Sequence, residues 1–325
     1  MEKITLIGIN GGIACGKDTL AQLIQYLIVR KDTDNSDKVL SFEFQGLTHN
    51  NLSEISRRQP WVVRKFADKL KDIVCLLIGC TRLELEDQDF KNKELGEDWW
   101  YYKSDDIRGM ITQKAFDNLT DNQKTHWKLI KLTPRLILQL LGTEGGRDVI
   151  HPNIWVNSLF SEYVAYPKGT AHDLKSCSEL YTHKECKNCK KGYSGWKRQY
   201  LCKECIEDDS IQFYPNWLIT DMRFPNEMDA IKSRKGITIK INRPIDLRFP
   251  HLWKLYKETE QTNFDEDSFL LWLKDYDLEY YKVLTHPSEI SLQNETFDYV
   301  IDNDGTLADL IGKVRQILIK ERIID

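Results

Sequence analysis

The residues best able to do chemistry form one run near the start, Gly11-Gly12-Ile13-Ala14-Cys15-Gly16-Lys17-Asp18-Thr19. A phosphate chain needs several backbone N–H groups turned onto its oxygens, and only glycine lets the chain curl that tightly. The N-terminus of a following helix adds partial positive charge, and Lys17 can reach the outer phosphates as a mobile point charge. The run therefore reads as a phosphate-binding loop, against the plainer alternative of a glycine turn in an ordinary α/β unit. The usual pattern has Ser or Thr directly after the lysine, where its hydroxyl ligates magnesium. Asp18 stands there instead, with Thr19 next. An aspartate in that place can hold a metal-bound water, orient Lys17 or cap the helix, and the residues leave the three open.

The second constellation is sulfur. Of eight cysteines, Cys15, Cys75 and Cys80 lie in the first quarter and the other five fall between Cys177 and Cys205. Cys186-x-x-Cys189 and Cys202-x-x-Cys205 are separated by twelve residues. Paired thiolates on two turns close a tetrahedral cage of the zinc-ribbon kind, so a structural zinc is expected, with a metal-free reduced loop as the alternative. From Lys184 to Lys203 there are six lysines and Arg198, with Tyr193, Trp196 and Tyr200 interleaved. That mixture suits nucleic-acid contact or charge balance around thiolates, and a knuckle that staples an inserted loop is the expected role.

Strands and helices must position these groups. An apolar run over Ile4–Ile9 predicts a strand into the glycine loop, and Ala21, Leu23, Ile24, Leu27 and Ile28 follow at helical spacing. Trp61–Phe66 predicts a strand and Ala67–Val74 the start of a helix. Ligands sit at the carboxyl ends of such strands, so Asp68 and Lys71 stand where a second substrate binds, or else on a solvated helix face. Residues 82–130 show no clean periodicity, and helix fragments are expected there. Thr133 and Pro134 open a helix on which Arg135 and Gln139 share a face and which Gly142 ends. Arg135 is a candidate phosphate clamp, although position alone favours an exposed helical arginine. Arg147 follows, then a helix after Pro152 that carries Trp155.

The strand Trp217–Thr220 runs into Asp221, at the tip where an acid can face metal or substrate. Arg223 is two residues on, and Glu227 lies just inside the next helix. Ile237–Ile241 predicts another strand, leading to Arg243. Residues 246–284 are aromatic and acidic, an expected helical insertion or lid with a helix around Ser268–Tyr280. A last strand, Asp298–Ile301, precedes Asn303 and an amphipathic helix from Leu307. Five strands, each followed by a helix, predict an α/β fold with a three-layer, parallel five-stranded sheet. The expected core is 1–167 with 213–325, interrupted by the ribbon at 168–212.

With 325 residues, 41% hydrophobic and 30% charged, the chain has the composition of a globular protein. A net charge of -4 gives no global pull toward nucleic acid or anionic membrane. No apolar run approaches the ~20 residues that span a bilayer. Met1-Glu2-Lys3 runs into a strand rather than a signal peptide, so a cytoplasmic location is expected. The oligomeric state stays open, with a homodimer among the expected assemblies.

Taken in order, Gly16-Lys17-Asp18-Thr19, Arg135-x-x-x-Gln139-x-x-Gly142-Thr143, Trp155-Val156, Thr220-Asp221-x-Arg223 with Glu227, Arg243-Pro244, and His286-x-x-Glu289 followed by Asn303-Asp304-Gly305 form a recognisable set. Together they resemble the bacteriophage deoxynucleoside monophosphate kinases, a branch of the P-loop nucleoside monophosphate kinase fold. The resemblance covers about residues 3–30, 60–80, 130–165 and 215–325, apart from 246–284. It implies transfer of the γ-phosphate of ATP to a deoxynucleoside monophosphate with magnesium, serving deoxynucleotide supply in a phage-infected cell. It further implies that Gly11–Thr19 hold ATP with Arg243 and Asn303 nearby. Arg135, Gln139, Trp155, Asp221, Arg223 and Glu227 would line the acceptor site, which Asp68 and Lys71 also contact. Lys17, Asp18, Arg135, Asp221 and Arg223 are the expected catalytic set, with Arg147 a further cation. The competing expectations are another P-loop kinase of small molecules, or a nucleic-acid-binding NTPase that grips its partner through the ribbon.

Overall fold

Every residue of β1 (Leu6–Asn10) is buried in the computed structural model, which describes residues 4–30, 36–47, 51–52, 55, 61–104, 109–165, 180–185, 192–196, 214–259 and 264–324. Such a strand needs cover on both faces, and the alternation of its side chains supplies it. Ile7 and Ile9 pack into a cluster with Leu20, Leu23, Ile24 and Leu27 of the helix Lys17–Arg30 and Ile311, Val314 and Leu318 of the helix Leu307–Lys320. Gly8 points to the other face, where a β-carbon would stand 2.4 Å from Ile231 of the helix Pro225–Lys232. Glycine lets that helix lie directly against the strand.

β1 sits in a five-stranded sheet with β2 (Trp61–Arg64), β8 (Asn216–Ile219), β9 (Ile237–Asn242) and β10 (Tyr299–Asp302), in the order β10-β9-β1-β8-β2. All pairs are parallel, with Gly8 opposite both Ile219 and Thr238. This is the α/β architecture expected, a parallel sheet flanked by helices. The glycine loop leaves the central strand, and every carboxyl end opens on the same edge.

The chain divides into two compact units, residues 1–64 with 160–325, and residues 65–159. The sequence had placed 65–159 within one continuous core. The second unit contains a sheet that periodicity did not predict, β3 (Trp100–Ser104) between β4 (Gly109–Ile111) and β5 (Lys128–Lys131), antiparallel throughout. The helix fragments expected there are present, at Gln113–Asp117 and Asp121–Lys124. The strands are short and none is mostly buried, so no apolar alternation marks them.

Thr133 caps the helix Pro134–Gln139 by accepting the Leu136 N–H at 3.1 Å, as expected. Gly142 does not end that helix. The chain continues through Leu140–Ile150 with the wider π-type turn, an arrangement that often marks functional places. The glycines serve packing instead: a β-carbon on Gly142 would stand 2.9 Å from Leu70, and one on Gly146 2.9 Å from Trp155.

The expected helix 268–280 is two helices, Glu266–Tyr276 and Leu278–Leu284, because Asp277 accepts the Tyr280 N–H and starts the second. With Ile245–Arg248 and Pro250–Lys257 they build an aromatic core of Phe249, Tyr256 and Phe269. β6 (Leu180–Glu185) and β7 (Gly192–Trp196) pair antiparallel in the inserted region. Cys186, Cys189, Cys202 and Cys205 lie outside the described residues. No helix among the described residues is long and apolar enough to cross a membrane.

Candidate functional site

The glycine loop curls by left-handed backbone at Ala14, φ 61°, and Gly16, φ 96°. Glycine adopts that conformation freely, whereas alanine pays about 1 kcal/mol for it. Gly11 meets a different demand, since a β-carbon there would stand 2.6 Å from the Ile241 carbonyl oxygen of β9. Within the loop the Cys15 N–H donates to the Gly12 carbonyl at 3.3 Å.

Lys17 folds back over its own loop. Its Nζ donates to the carbonyls of Gly11 at 2.6 Å and Gly12 at 2.8 Å. Burial lowers its pKa from 10.5, the Arg223 guanidinium lowers it further, and Glu289 pulls it back. Two cations near one another cost free energy unless an anion neutralises them, and a polyphosphate is such an anion.

Neighbouring elements brace the loop. Asn303, after β10, donates from Nδ2 to the Cys15 carbonyl at 3.0 Å. Arg248 donates from Nε to the Ile13 carbonyl at 2.9 Å, and its guanidinium lies where a β-carbon on Gly12 would be. Ile13 itself packs against the aromatic core of the helices after β9. On the other side Asn10 donates from Nδ2 to the Met222 carbonyl at 2.8 Å, tying the end of β1 to the turn after β8. Continuing the β1–β8 register brings Asp221 level with Asn10.

A cavity of about 410 Å³ opens beside the loop. Gly11, Gly12 and Cys15 form one wall, and Arg243, Arg248, Glu289 and Asp304 contribute charge. The Arg243 Nε is buried there without a hydrogen-bond partner. A buried guanidinium N–H left unmade is costly.

Arg223 and Glu227, which follow β8, are both engaged within the protein. Arg223 donates from its guanidinium to the Ser288 hydroxyl at 3.0 Å and forms an ion pair with Glu289. Ser288 is in turn held by His286 Nδ1 at 2.9 Å. Glu227, expected at the acceptor site, is buried. It is 1% exposed, and its Oε2 accepts the N–H groups of Arg223 at 2.7 Å and Phe224 at 3.1 Å. It caps the helix Pro225–Lys232 and positions Arg223.

In the second unit several candidate residues are already partnered. Lys71 pairs with Glu86 at 2.6 Å, and Arg82 with Asp68 at 2.8 Å. Asp68 also accepts the Lys65 N–H at 2.9 Å. Arg135 is exposed and forks onto two neutral amides, Asn92 and Gln88, each at 2.7 Å, so its charge meets no carboxylate in those contacts. Gln139 is exposed on the same helix and Arg147 is half-buried in the π-type stretch. Trp155, also expected at the acceptor site, is buried. It is 4% exposed, packs in the core with Leu70 and Ile137, and gives its indole N–H to the Gly142 carbonyl at 2.8 Å, so it offers no open face to a base.

Among the described residues no group of three or more His, Cys, Asp or Glu gathers as a metal cage. Magnesium needs none, since it takes one or two carboxylates plus phosphate oxygens and water. Asp18 and Thr19, exposed at the head of the helix Lys17–Arg30, and Asp221 after β8 are hard oxygen donors that fit it. Sequence reasoning missed Asn10 and Arg248. The first is signalled by a polar residue closing an apolar strand, whereas nothing in the local pattern marks the second.

No protein-family model matches the chain, and no curated protein matches it. Among solved structures it is similar to one titled "Crystal structure of TT1252 from Thermus thermophilus", at 13% identity over 98% of each chain with a TM-score of 0.33. A likeness at that score carries no argument about fold or function.

Proposed function

We propose that this protein is a phosphotransferase that moves the γ-phosphate of ATP to a deoxynucleoside monophosphate. The observation that carries the reading is Lys17, held over a left-handed glycine loop at the end of a central parallel strand, with Arg223 close enough to depress its pKa. Phosphoryl transfer needs little covalent help and much charge neutralisation in a fixed geometry. Lys17 would neutralise the outer phosphates of ATP, and Arg243, which lines the cavity, would hold a nucleotide oxygen. Magnesium, bound through Asp18, Thr19 or Asp221, supplies further charge neutralisation when present. Arg223 would meet the acceptor phosphate, which is already ionised and needs no general base. The choice of a deoxynucleoside monophosphate as acceptor rests on the ordered motifs of the sequence.

The cysteine pairs are proposed as a structural zinc site. Cys186 and Cys189 fall in the connection between the paired strands β6 and β7, a placement that suits one knuckle of a ribbon. A kinase assay of the full chain against the common and modified deoxynucleoside monophosphates tests the activity. Diphosphate formation from at least one of them supports it. Transfer confined to nucleosides or other small molecules would keep the loop and discard the acceptor.

A further inference from the structure

The helix Asp68–Ile78 ends at Gly79, whose φ of 70° turns the chain left-handed. The N–H groups of Gly79 and Cys80 both donate to the Cys75 carbonyl, at 2.9 and 3.1 Å. This six-residue closure sets the side chains of its first and last residues against each other, a contact that is ordinarily apolar. Here both residues are cysteine. Neither is in a disulfide, and both are half-buried against the cluster of Leu70, Val74, Leu85 and Ile137. The backbone closure already holds the two residues together, so a bond of ~2.05 Å between the sulfurs needs chiefly rotation of the side chains.

We propose that Cys75 and Cys80 form a reversible dithiol that closes to an intramolecular disulfide by exchange with a small-molecule disulfide of the glutathione class. One protein thiolate attacks a sulfur of glutathione disulfide and expels one glutathione thiolate, leaving a mixed disulfide. The other protein thiol gives its proton to solvent, attacks the protein sulfur of that mixed disulfide and expels the second glutathione. Two protein thiols are oxidised and one glutathione disulfide is reduced, so atoms and electrons balance.

Burial, joined by the neighbouring Cys75 thiol, pushes Cys80 up to about 11. Thiolate is therefore scarce on it at neutral pH, and exchange quickens as pH rises. The loop closed is short, so the bond adds little to global stability. Its effect is to pin the C-terminal end of the helix whose first turns carry Asp68 and Lys71.

Trypsin isolates the pair, because the peptide Asp72–Arg82 contains both cysteines and no others. The folded full chain is incubated with glutathione disulfide at neutral and alkaline pH, quenched in acid, unfolded, alkylated with iodoacetamide and digested. The expected peptide is lighter by two hydrogens than the reduced form and takes no alkyl group, it accumulates faster at the higher pH, and dithiothreitol returns a doubly alkylated peptide. Cys75→Ser and Cys80→Ser should each abolish the lighter species. Recovery of the wild-type peptide doubly alkylated, carrying glutathione as its stable product, or bonded to a third cysteine would overturn the proposal. So would a closure rate no greater in the folded chain than in the chain unfolded by guanidinium, because the native cap would then contribute nothing.

Discussion

The loop after β1 and the helix Asp68–Ile78 each follow a parallel strand, yet they are built on opposite principles. In the loop the backbone does the work: left-handed Ala14 and Gly16 set its curl, and Asn303 and Arg248 hold its carbonyls from outside. In the helix the charged side chains are engaged with those of the next helix, Arg82–Glu86: Lys71 with Glu86 and Asp68 with Arg82. Backbone geometry is dictated by local residue types, so it can be read from a motif. The availability of a charge depends on partners distant in sequence, and no motif reports it.

The largest expected effect breaks the comparison on the loop side. Lys17→Ala should lower kcat by roughly a hundredfold to a thousandfold, about 3 to 4 kcal/mol of transition-state stabilisation, with unchanged circular dichroism. Activity within a few-fold of wild type would remove Lys17 from the chemistry.

Arg223→Ala should raise KM for the monophosphate roughly tenfold or more, the loss of one charge-assisted contact, with KM for ATP nearly constant. It should also leave a signature in pH. Burial and the Arg223 charge lower the Lys17 pKa, and the active form is the protonated one, so kcat/KM for ATP falls as pH rises through that lowered value. Without Arg223 this alkaline limb should move to higher pH. The sign for stability follows from the same shift. Between the lowered value and 10.5 the unfolded chain binds more protons at Lys17 than the folded one, so this residue makes the fold more stable as pH rises across that window. An alkaline limb that stays put in Arg223→Ala would separate the two cations.

A few-fold rise in KM for the monophosphate is expected from Arg135→Ala, with little change in stability, since its recorded contacts are to the exposed amides of Gln88 and Asn92. A rise confined to KM for ATP would assign it to the other substrate.

The smallest effect is on the helix side. Burial disfavours the charged form of Glu86, but the hydrogen bond and charge of Lys71, then the charges of Lys91 and Arg82, hold its carboxyl below the usual range. Its stabilisation is full above the ordinary carboxylate value and is lost as pH falls through the lower folded value. Glu86→Gln should therefore cost about 1 kcal/mol or less, because the pair is partly exposed. Hydrogen exchange should show acid loosening residues 68–92 before the helix Lys17–Arg30, and equal protection at low pH would contradict the contrast drawn here.

The parallel sheet was legible because its strands are apolar runs that end in glycine or acid, as at Gly11 and Asp221, and because helical spacing follows each. The antiparallel sheet at 100–131 was not, since its strands are short and none is mostly buried. Gly142 looked like a helix stop because glycine usually is one, and only its closeness to Leu70 shows the packing demand behind it. Glu227 and Trp155 were matched to a motif, but the first spends its carboxylate on two backbone N–H groups and the second its indole N–H on Gly142. A polar group already satisfied inside the fold is invisible to a pattern of residue types.

The central claim meets its most direct test in the fate of the γ-phosphate. The full chain would be incubated with γ-labelled ATP, magnesium and each deoxynucleoside monophosphate, and the products separated. The account predicts label in a deoxynucleoside diphosphate, in amounts that match ADP formed, and none with Lys17→Ala. Label released only as inorganic phosphate, with no acceptor modified and with release stimulated by added nucleic acid, would contradict it.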